Sequence, residues 1–299
     1  MAIGYLIVQV QTAQEAVPLA GGQGSILDSL CSVVYALTTD ESGETLNVPL
    51  ETLDKSFSQN QYFMELPYKS YNVLVRETGF NTVYVSDIPI YEGETALLPL
   101  ELVPMQQMQR RPQQTRIFVG QPAVASRTPR NQEGTTDSAR ILRQVVIPNP
   151  ITVHLGAPGS SASNVQVSFP DYVKNAASSE IYPTWPEAAL TANIYAIITF
   201  ALNRIFTEWY RNRGYNYDIT NSTAYDQAFI PGRPIYESIS RIVDNIFNEF
   251  VRRPSQDAPF FTSFCNGTTV TCRGISQWGT VTLANQGRTP LQILRTYYP

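Results

Sequence analysis

The chain is poor in the residues that most often carry metal or redox chemistry: among 299 residues it has one histidine, His154, and three cysteines. A zinc site is normally built from several His, Cys or acidic donors at defined spacing. Here such donors would have to come from distant parts of the chain, so no metal or other cofactor is expected. His154 lies in the alternating run Ile151-Thr152-Val153-His154-Leu155 and reads as a structural strand residue. Cys31 stands alone, whereas Cys265 and Cys272 can pair across a loop. No uninterrupted apolar stretch of ~20 residues occurs, so no membrane span is expected. The start, Met1 to Val10, has neither a basic segment nor a small-residue cleavage site, and Sec export is not indicated.

Charged residues make up only 15% of the chain, and the net charge of −4 conceals a change of sign along it. Residues 1–104 hold 13 acids and 3 bases (net −10), residues 105–149 hold 7 arginines and 2 acids (net +5), and residues 150–299 hold 11 bases and 10 acids (net +1). The basic middle is short and scattered among Gln, Pro, Thr and Ser, which argues against nucleic-acid binding. Three regions follow: a β-rich domain over 1–104, a flexible basic linker over 105–146, and a mainly helical domain over 147–299. The fold class expected is therefore α+β and multidomain.

In the first region, residues 4–12, Asn72 to Arg76 and Thr82 to Ser86 alternate apolar and polar side chains between turn signals such as Glu41 to Glu44 and Thr78-Gly79. Short strands at this spacing predict a small antiparallel β-sandwich. Val17 to Gly21 and Gly79 to Val83 resemble segments of transthyretin-like or carboxypeptidase-regulatory-like modules, which bind, space or mask. The linker text, including Gln106 to Gln114, offers few core residues and predicts an accessible segment, apart from the apolar insert Ile117-Phe118-Val119.

The third region carries helical periodicity. Asp171–Glu180, Pro186–Arg213 and Pro234–Arg253 are predicted helices, with a final pair over Gln277–Gln286 and Thr289–Tyr298. Leu190, Ile194, Ile197, Ala201, Ile205 and Trp209 form one apolar stripe; Ile239, Ile242, Val243, Ile246, Phe247 and Phe250 form another. Both read as core. Between the first two helices, Thr184 to Glu187 spells a capping box with Pro186 in the first turn. Glu180 is then expected in the bend before that helix, where Tyr182 and Trp185 can desolvate its carboxyl toward a useful proton donor. The plain alternative is a solvated surface glutamate.

The texts SSEIYPTWPEAAL at 178–190, SQWG at 276–279 and PLQILRTYYP at 290–299 resemble the SpoIID/LytB family of peptidoglycan-cleaving domains. Residues 144–299 as a whole resemble the clostridial spore-cortex-lytic enzymes. This resemblance implies a germination-specific lytic transglycosylase acting on spore cortex peptidoglycan, located in the cortex or coat region of the spore. Glu180 matches the catalytic acid and base. Tyr182, Trp185, Ser276, Gln277 and Trp278 would line the sugar groove, with Asp226 as a further binding residue. Trp185 and Trp278 read equally well as core residues, and Tyr195 reads better as core.

The resemblance further implies a zymogen. A subtilisin-type germination protease would remove the N-terminal region near Val145-Val146-Ile147, and residues 1–104 would cover or misalign the groove until then. Two departures stand out. Thr220 to Asp226 lacks the Cys and His that some relatives carry after the long helix, and Tyr297-Tyr298-Pro299 ends where the resembled enzymes usually enter a peptidoglycan-binding repeat.

Three other chemistries stay open. A hydrolase would need a second carboxylate, for which Asp218 and Asp226 are the nearest in sequence. A non-catalytic peptidoglycan-binding or structural spore protein would keep the fold. A zinc amidase is disfavoured by the single histidine.

Overall fold

The computed structural model describes residues 2–12, 16–106, 111–126, 132–133 and 141–299. They form two units: Met1–Gln121 with Pro231–Ser238, and Pro122–Ile230 with Ile239–Pro299.

In the first unit the alternating runs become strands: β1 (Ala2–Thr12), β2 (Val17–Pro18), β3 (Gln23–Leu27), β4 (Val33–Thr38), β5 (Val48–Thr52), β6 (Lys69–Arg76), β7 (Thr82–Ile90), β8 (Thr95–Glu101) and β9 (Gln114–Phe118). The short helix α1 (Lys55–Ser58) is capped by the Asp54 carboxylate, which accepts from the Ser56 amide at 2.8 Å. One sheet runs from the short strand Ile235–Tyr236 through β8 and β1 to β2, with β5 also paired to β1; the other runs β4-β3-β6-β7-β9. Successive side chains of a strand point to opposite faces. Leu6, Val8 and Val10 of β1, Val73 and Val75 of β6, Val83 and Val85 of β7, and Leu98 and Leu100 of β8 are accordingly buried. Each such side chain contributes about 1.5–3 kcal/mol. Gly4 leaves room where a Cβ would stand 2.2 Å from the Tyr91 carbonyl oxygen.

Two expectations change here. The sheets are not purely antiparallel, because β1 pairs in parallel with β8 and β7 with β9. Alternation sets which face a strand buries, but it is blind to strand direction. The linker expected over 105–146 is also divided: Gln114–Phe118 is strand β9, and the first unit extends to Gln121. Of the Gln-rich text, 107–110 lie outside the described residues, as do 127–131 and 134–140.

The second unit contains β10 (Ile151–His154), β11 (Asn164–Val167), α2 (Phe169–Glu180), α3 (Glu187–Phe206), β12 (Ile219–Thr220), α4 (Glu237–Ile246, whose first two residues belong to the first unit), β14 (Phe264–Cys265), β15 (Ile275–Ser276), α5 (Gln277–Asn285) and α6 (Pro290–Tyr297). The strand Ile235–Tyr236 completes the numbering as β13. Strands β11-β10-β12 form one small sheet and β14-β15 another. His154 is a structural strand residue as read from the sequence: it is buried, hydrogen-bonded to Asn164 (2.8 Å) and Ser160 (3.0 Å), and stacked on Tyr217. Cys265 and Cys272 form a disulfide, and Cys31 is free and exposed.

The helices are bounded by local chemistry. Ser168 caps α2 by accepting from the Asp171 amide at 3.2 Å, with Pro170 in the first turn. The capping box expected for α3 does not form: Pro186 is itself the N-cap, its extended backbone (ψ 139°) starting the helix two residues later than a Thr184 cap would, and Glu187 pairs with Arg241 at 3.2 Å. This helix ends at Phe206 rather than Arg213, because Glu208 adopts a left-handed backbone (φ 45°). By length and composition α3 passes for a membrane span, yet 83% of that window is buried within the protein, as in a core helix. The helix predicted over Pro234–Arg253 is only Glu237–Ile246, since the residues before it are used as a strand. In α6 the capping box of Thr289 and Gln292 is complete.

Candidate active site

Glu180 is the last residue of α2, not a bend residue, and has no exposed surface. Its Oε1 accepts from the Ala228 backbone N–H at 2.7 Å, and its Oε2 accepts from Gln277 Nε2 at 3.4 Å. Gln277 opens α5, 97 residues away in sequence, so the two motifs that resemble one family meet at this carboxyl. Gln277 is itself fully buried.

Three aromatic rings from the same two motifs cluster. Tyr182 and Trp185 stand edge-to-face at 6.0 Å, Tyr182 and Trp278 at 6.1 Å, and Trp185 and Trp278 lie tilted at 4.9 Å. All three are buried. Burial pushes the Tyr182 phenol well above its ordinary value, so the ring stays neutral. Of the sequence-predicted residues, Glu180 meets Gln277, and Tyr182, Trp185 and Trp278 meet one another. Ser276 adjoins them, but its hydroxyl caps α5 by accepting from the Gly279 amide at 2.9 Å.

Asp226, also expected at the groove, lies in the second unit. It has no exposed surface; Oδ1 accepts from Arg204 Nε at 2.8 Å, while Oδ2 accepts from Tyr210 Oη (2.5 Å), the Thr220 amide (2.9 Å) and Thr220 Oγ1 (2.7 Å). Both of its oxygens thus accept from protein donors. Asp218 is likewise engaged, by the Thr152 amide (2.8 Å) and by Arg211 (2.9 Å). Tyr195 is half-buried rather than core, its hydroxyl donating to Glu249 at 2.5 Å; burial and that carboxylate push its phenol up to about 12.

Several partners were not foreseen from sequence. The Ala228 amide has no side-chain signature. Tyr172 donates to Gln227 Oε1 at 2.8 Å, and Gln227 Nε2 to the Ile197 carbonyl at 3.0 Å. Burial first, then the charges of Asp226 and Glu180, hold the Tyr172 phenol far above its usual range. Asn175 clasps Ile230 from both sides, accepting from its amide (2.9 Å) and donating to its carbonyl (2.8 Å). Polar residues interrupting apolar helical text, such as Asn175 and Asn193, were the only sequence signal of this network. Among the described residues no group of three or more His, Cys, Asp or Glu side chains is placed to hold a metal ion.

The carboxyl is held by a backbone N–H and a side-chain amide. Such a group can exchange a proton with whatever reaches it. In this chain it is closed to solvent.

No known protein-family model and no curated protein matches the chain. Among solved structures it is similar to the Klebsiella pneumoniae 5-hydroxyisourate hydrolase (15% identity, 34% of this chain and 92% of that one, TM-score 0.24). It is also similar to the Bacillus anthracis TIE protein (16% identity, 35% of this chain, 17% of that one, TM-score 0.23). A third likeness is to GBS52, the minor pilin of Streptococcus agalactiae (14% identity, 37% of this chain, 49% of that one, TM-score 0.23). These values are too low to assign either unit to a family.

Proposed function

We propose that the second unit is a SpoIID/LytB-type lytic transglycosylase cleaving the bond between N-acetylmuramic acid and N-acetylglucosamine in spore cortex peptidoglycan, and that the chain is its precursor, with a transthyretin-like β-sandwich in the first unit. One observation carries the reading: two motifs far apart in sequence meet twice, Glu180 with Gln277, and Tyr182 and Trp185 with Trp278. In this reading protonated Glu180 gives its proton to the glycosidic oxygen as the C1–O bond breaks, so that N-acetylglucosamine leaves with a free hydroxyl. The carboxylate then takes the proton of the muramoyl C6 hydroxyl as that oxygen bonds to C1. A 1,6-anhydro end results and no water is consumed. A two-carboxyl mechanism needs a second free acid; the protein donors already on Asp218 and Asp226 favour the single-carboxyl route.

The closed state of Glu180 fits a precursor. Val145-Val146-Ile147 lies in irregular chain, Val146 being 46% exposed, and offers a subtilisin-type germination protease a site to cut. That same closure favours the second reading, a non-catalytic spore or peptidoglycan-binding protein in which Glu180 ties the loop at Ala228 to α5. The two diverge in one assay. After the cut, wild-type protein should release soluble cortex fragments, and Glu180→Gln should lose about 10²- to 10⁴-fold of that activity. Equal release by both would refute the assignment; release by neither would favour the structural reading.

A further inference from the structure

Two stretches of chain fold with the unit that their sequence neighbours do not share. Pro231–Ser238 belongs to the first unit, although the residues on both sides belong to the second. Within the first unit Ile235 and Tyr236 pair antiparallel with Leu97 and Ala96 of β8. Tyr236 is fully buried; its hydroxyl donates to the Pro89 carbonyl at 2.9 Å and its ring stands edge-on to Tyr91. Arg233, also without exposed surface, donates to the carbonyls of Val119 (2.8 Å) and Gly120 (2.7 Å). Gly232 has a left-handed backbone (φ 75°), and a Cβ there would stand 2.8 Å from Ile117 Cδ1. Ser238 donates to Glu94 at 2.7 Å. Aromatic anchor, buried guanidinium and ladder bonds are the features of strand addition to a sheet edge.

The exchange is reciprocal. Pro122–Ser126, Gln132 and Glu133 precede the expected cut yet fold with the second unit. There Val124 is buried, Asn266 Nδ2 donates to the Ser126 carbonyl (2.9 Å), and the Gln132 side chain donates to the Asp226 carbonyl (2.9 Å) and accepts from the Phe264 amide (3.0 Å). Arg204 Nη1 donates to the Glu133 carbonyl at 2.5 Å.

We propose that the first unit carries a strand-addition site whose built-in occupant is Pro231–Ser238, so that cutting at Val145-Val146-Ile147 leaves the two fragments bound as one non-covalent particle. The cut itself adds one water across one peptide bond and removes none of the bonds above. Its position rests on the activation reading; the retention follows for a cut anywhere between Glu133 and Ile151. The consequence reaches Glu180, because the loop bearing its Ala228 donor runs directly into the retained strand through Ile230. Cutting and opening are then separate events, the second requiring withdrawal of Pro231–Ser238 from β8.

The test uses the full chain, nicked by subtilisin under native conditions, with the cut position read by mass spectrometry and the product run on size-exclusion chromatography with light scattering. A single species with the mass of the uncut chain, resolving into two fragments only in denaturant, is expected. Two separate species in native buffer would overturn the proposal. Arg233→Ala with Tyr236→Ala should speed separation of the nicked pair at least tenfold. The milder Tyr236→Phe, which keeps the ring and removes one hydrogen bond, should speed it roughly two- to tenfold. Unchanged separation in both variants would overturn the strand as the holding element. Retention is read without any cortex substrate, so its failure and a failure of the transglycosylase reading are distinguishable.

Discussion

The buried polar side chains of the first unit are mostly hydroxyls, Thr39, Thr45, Thr52 and Ser58, with Arg233 the charged one, whereas the second unit buries Glu180, Asp226, Arg204, Gln227, Gln277 and several asparagines. In the first unit alternation puts apolar residues inward and leaves most polar atoms to the edges. In the second, polar groups interrupt helices that are otherwise apolar, and each must find a partner or destabilise the fold. A unit built only to persist has little use for such a network. The chemistry is accordingly sought in the second unit, while the first supplies a sheet that other chain segments can join.

All three tryptophans, Trp185, Trp209 and Trp278, lie in the second unit, so tryptophan fluorescence follows it without interference from the first. The largest effect on that signal is expected from Arg204→Met. It leaves the fully buried Asp226 carboxylate without its ion partner at 2.8 Å, and breaking a buried pair from one side costs about 3–5 kcal/mol. Urea midpoints monitored by tryptophan emission should fall accordingly; an unchanged midpoint would mean that the pair is not formed. Next comes the disulfide. Replacing Cys265 and Cys272 together by serine should cost about 2.5 kcal/mol, from the entropy of the short loop they close. A loss under 0.5 kcal/mol (roughly the range of an ordinary surface change) would show that loop already fixed by its other bonds.

Smallest near neutrality, and growing only in base, is the tyrosine effect. Burial raises Tyr172, Tyr182 and Tyr210 in the second unit and Tyr236 in the first, and brings Tyr195 and Tyr217 to about 12. Below the ordinary value of 10.0 these phenols are neutral in folded and unfolded chain alike, and stability is fully present. Above it the unfolded chain ionises first, so stability falls as pH climbs from 10 through the folded values. Absorbance at 295 nm should therefore show a reversible exposed class and a delayed class that appears only as the units holding these phenols unfold. A single smooth titration near 10 would contradict the burial.

How much of this was legible in the sequence differs between the units in the same way. Val73, Val75, Val83 and Val85 declared their face by period-two alternation, and Pro170 and Thr289 declared helix starts, whereas the Ser168 cap was not read. The parallel pairing of β1 with β8 was not legible, because neither direction nor partner is encoded in alternation. Nor was the use of Ile235–Tyr236 as a strand: the two residues continue the apolar stripe of a helix, and only the partner β8 decides otherwise. At the site, Glu180, Trp185 and Gln277 were visible through their motifs. Ala228 was not, since its contribution is a backbone N–H common to every residue except proline. The protein partners of Asp226 were not legible either, because a carboxylate in polar text looks the same whether it meets solvent or Arg204 and Thr220.

The most direct test of Glu180 as the lone acid and base is the chemistry of the product. Cortex digested by the nicked wild-type chain should yield muramic ends 18 Da lighter than hydrolytic ends, the difference of one water between a 1,6-anhydro and a reducing terminus by their formulae, and Glu180→Gln should yield none. Reducing muramic ends from the wild type, or anhydro ends from the variant, would contradict the account.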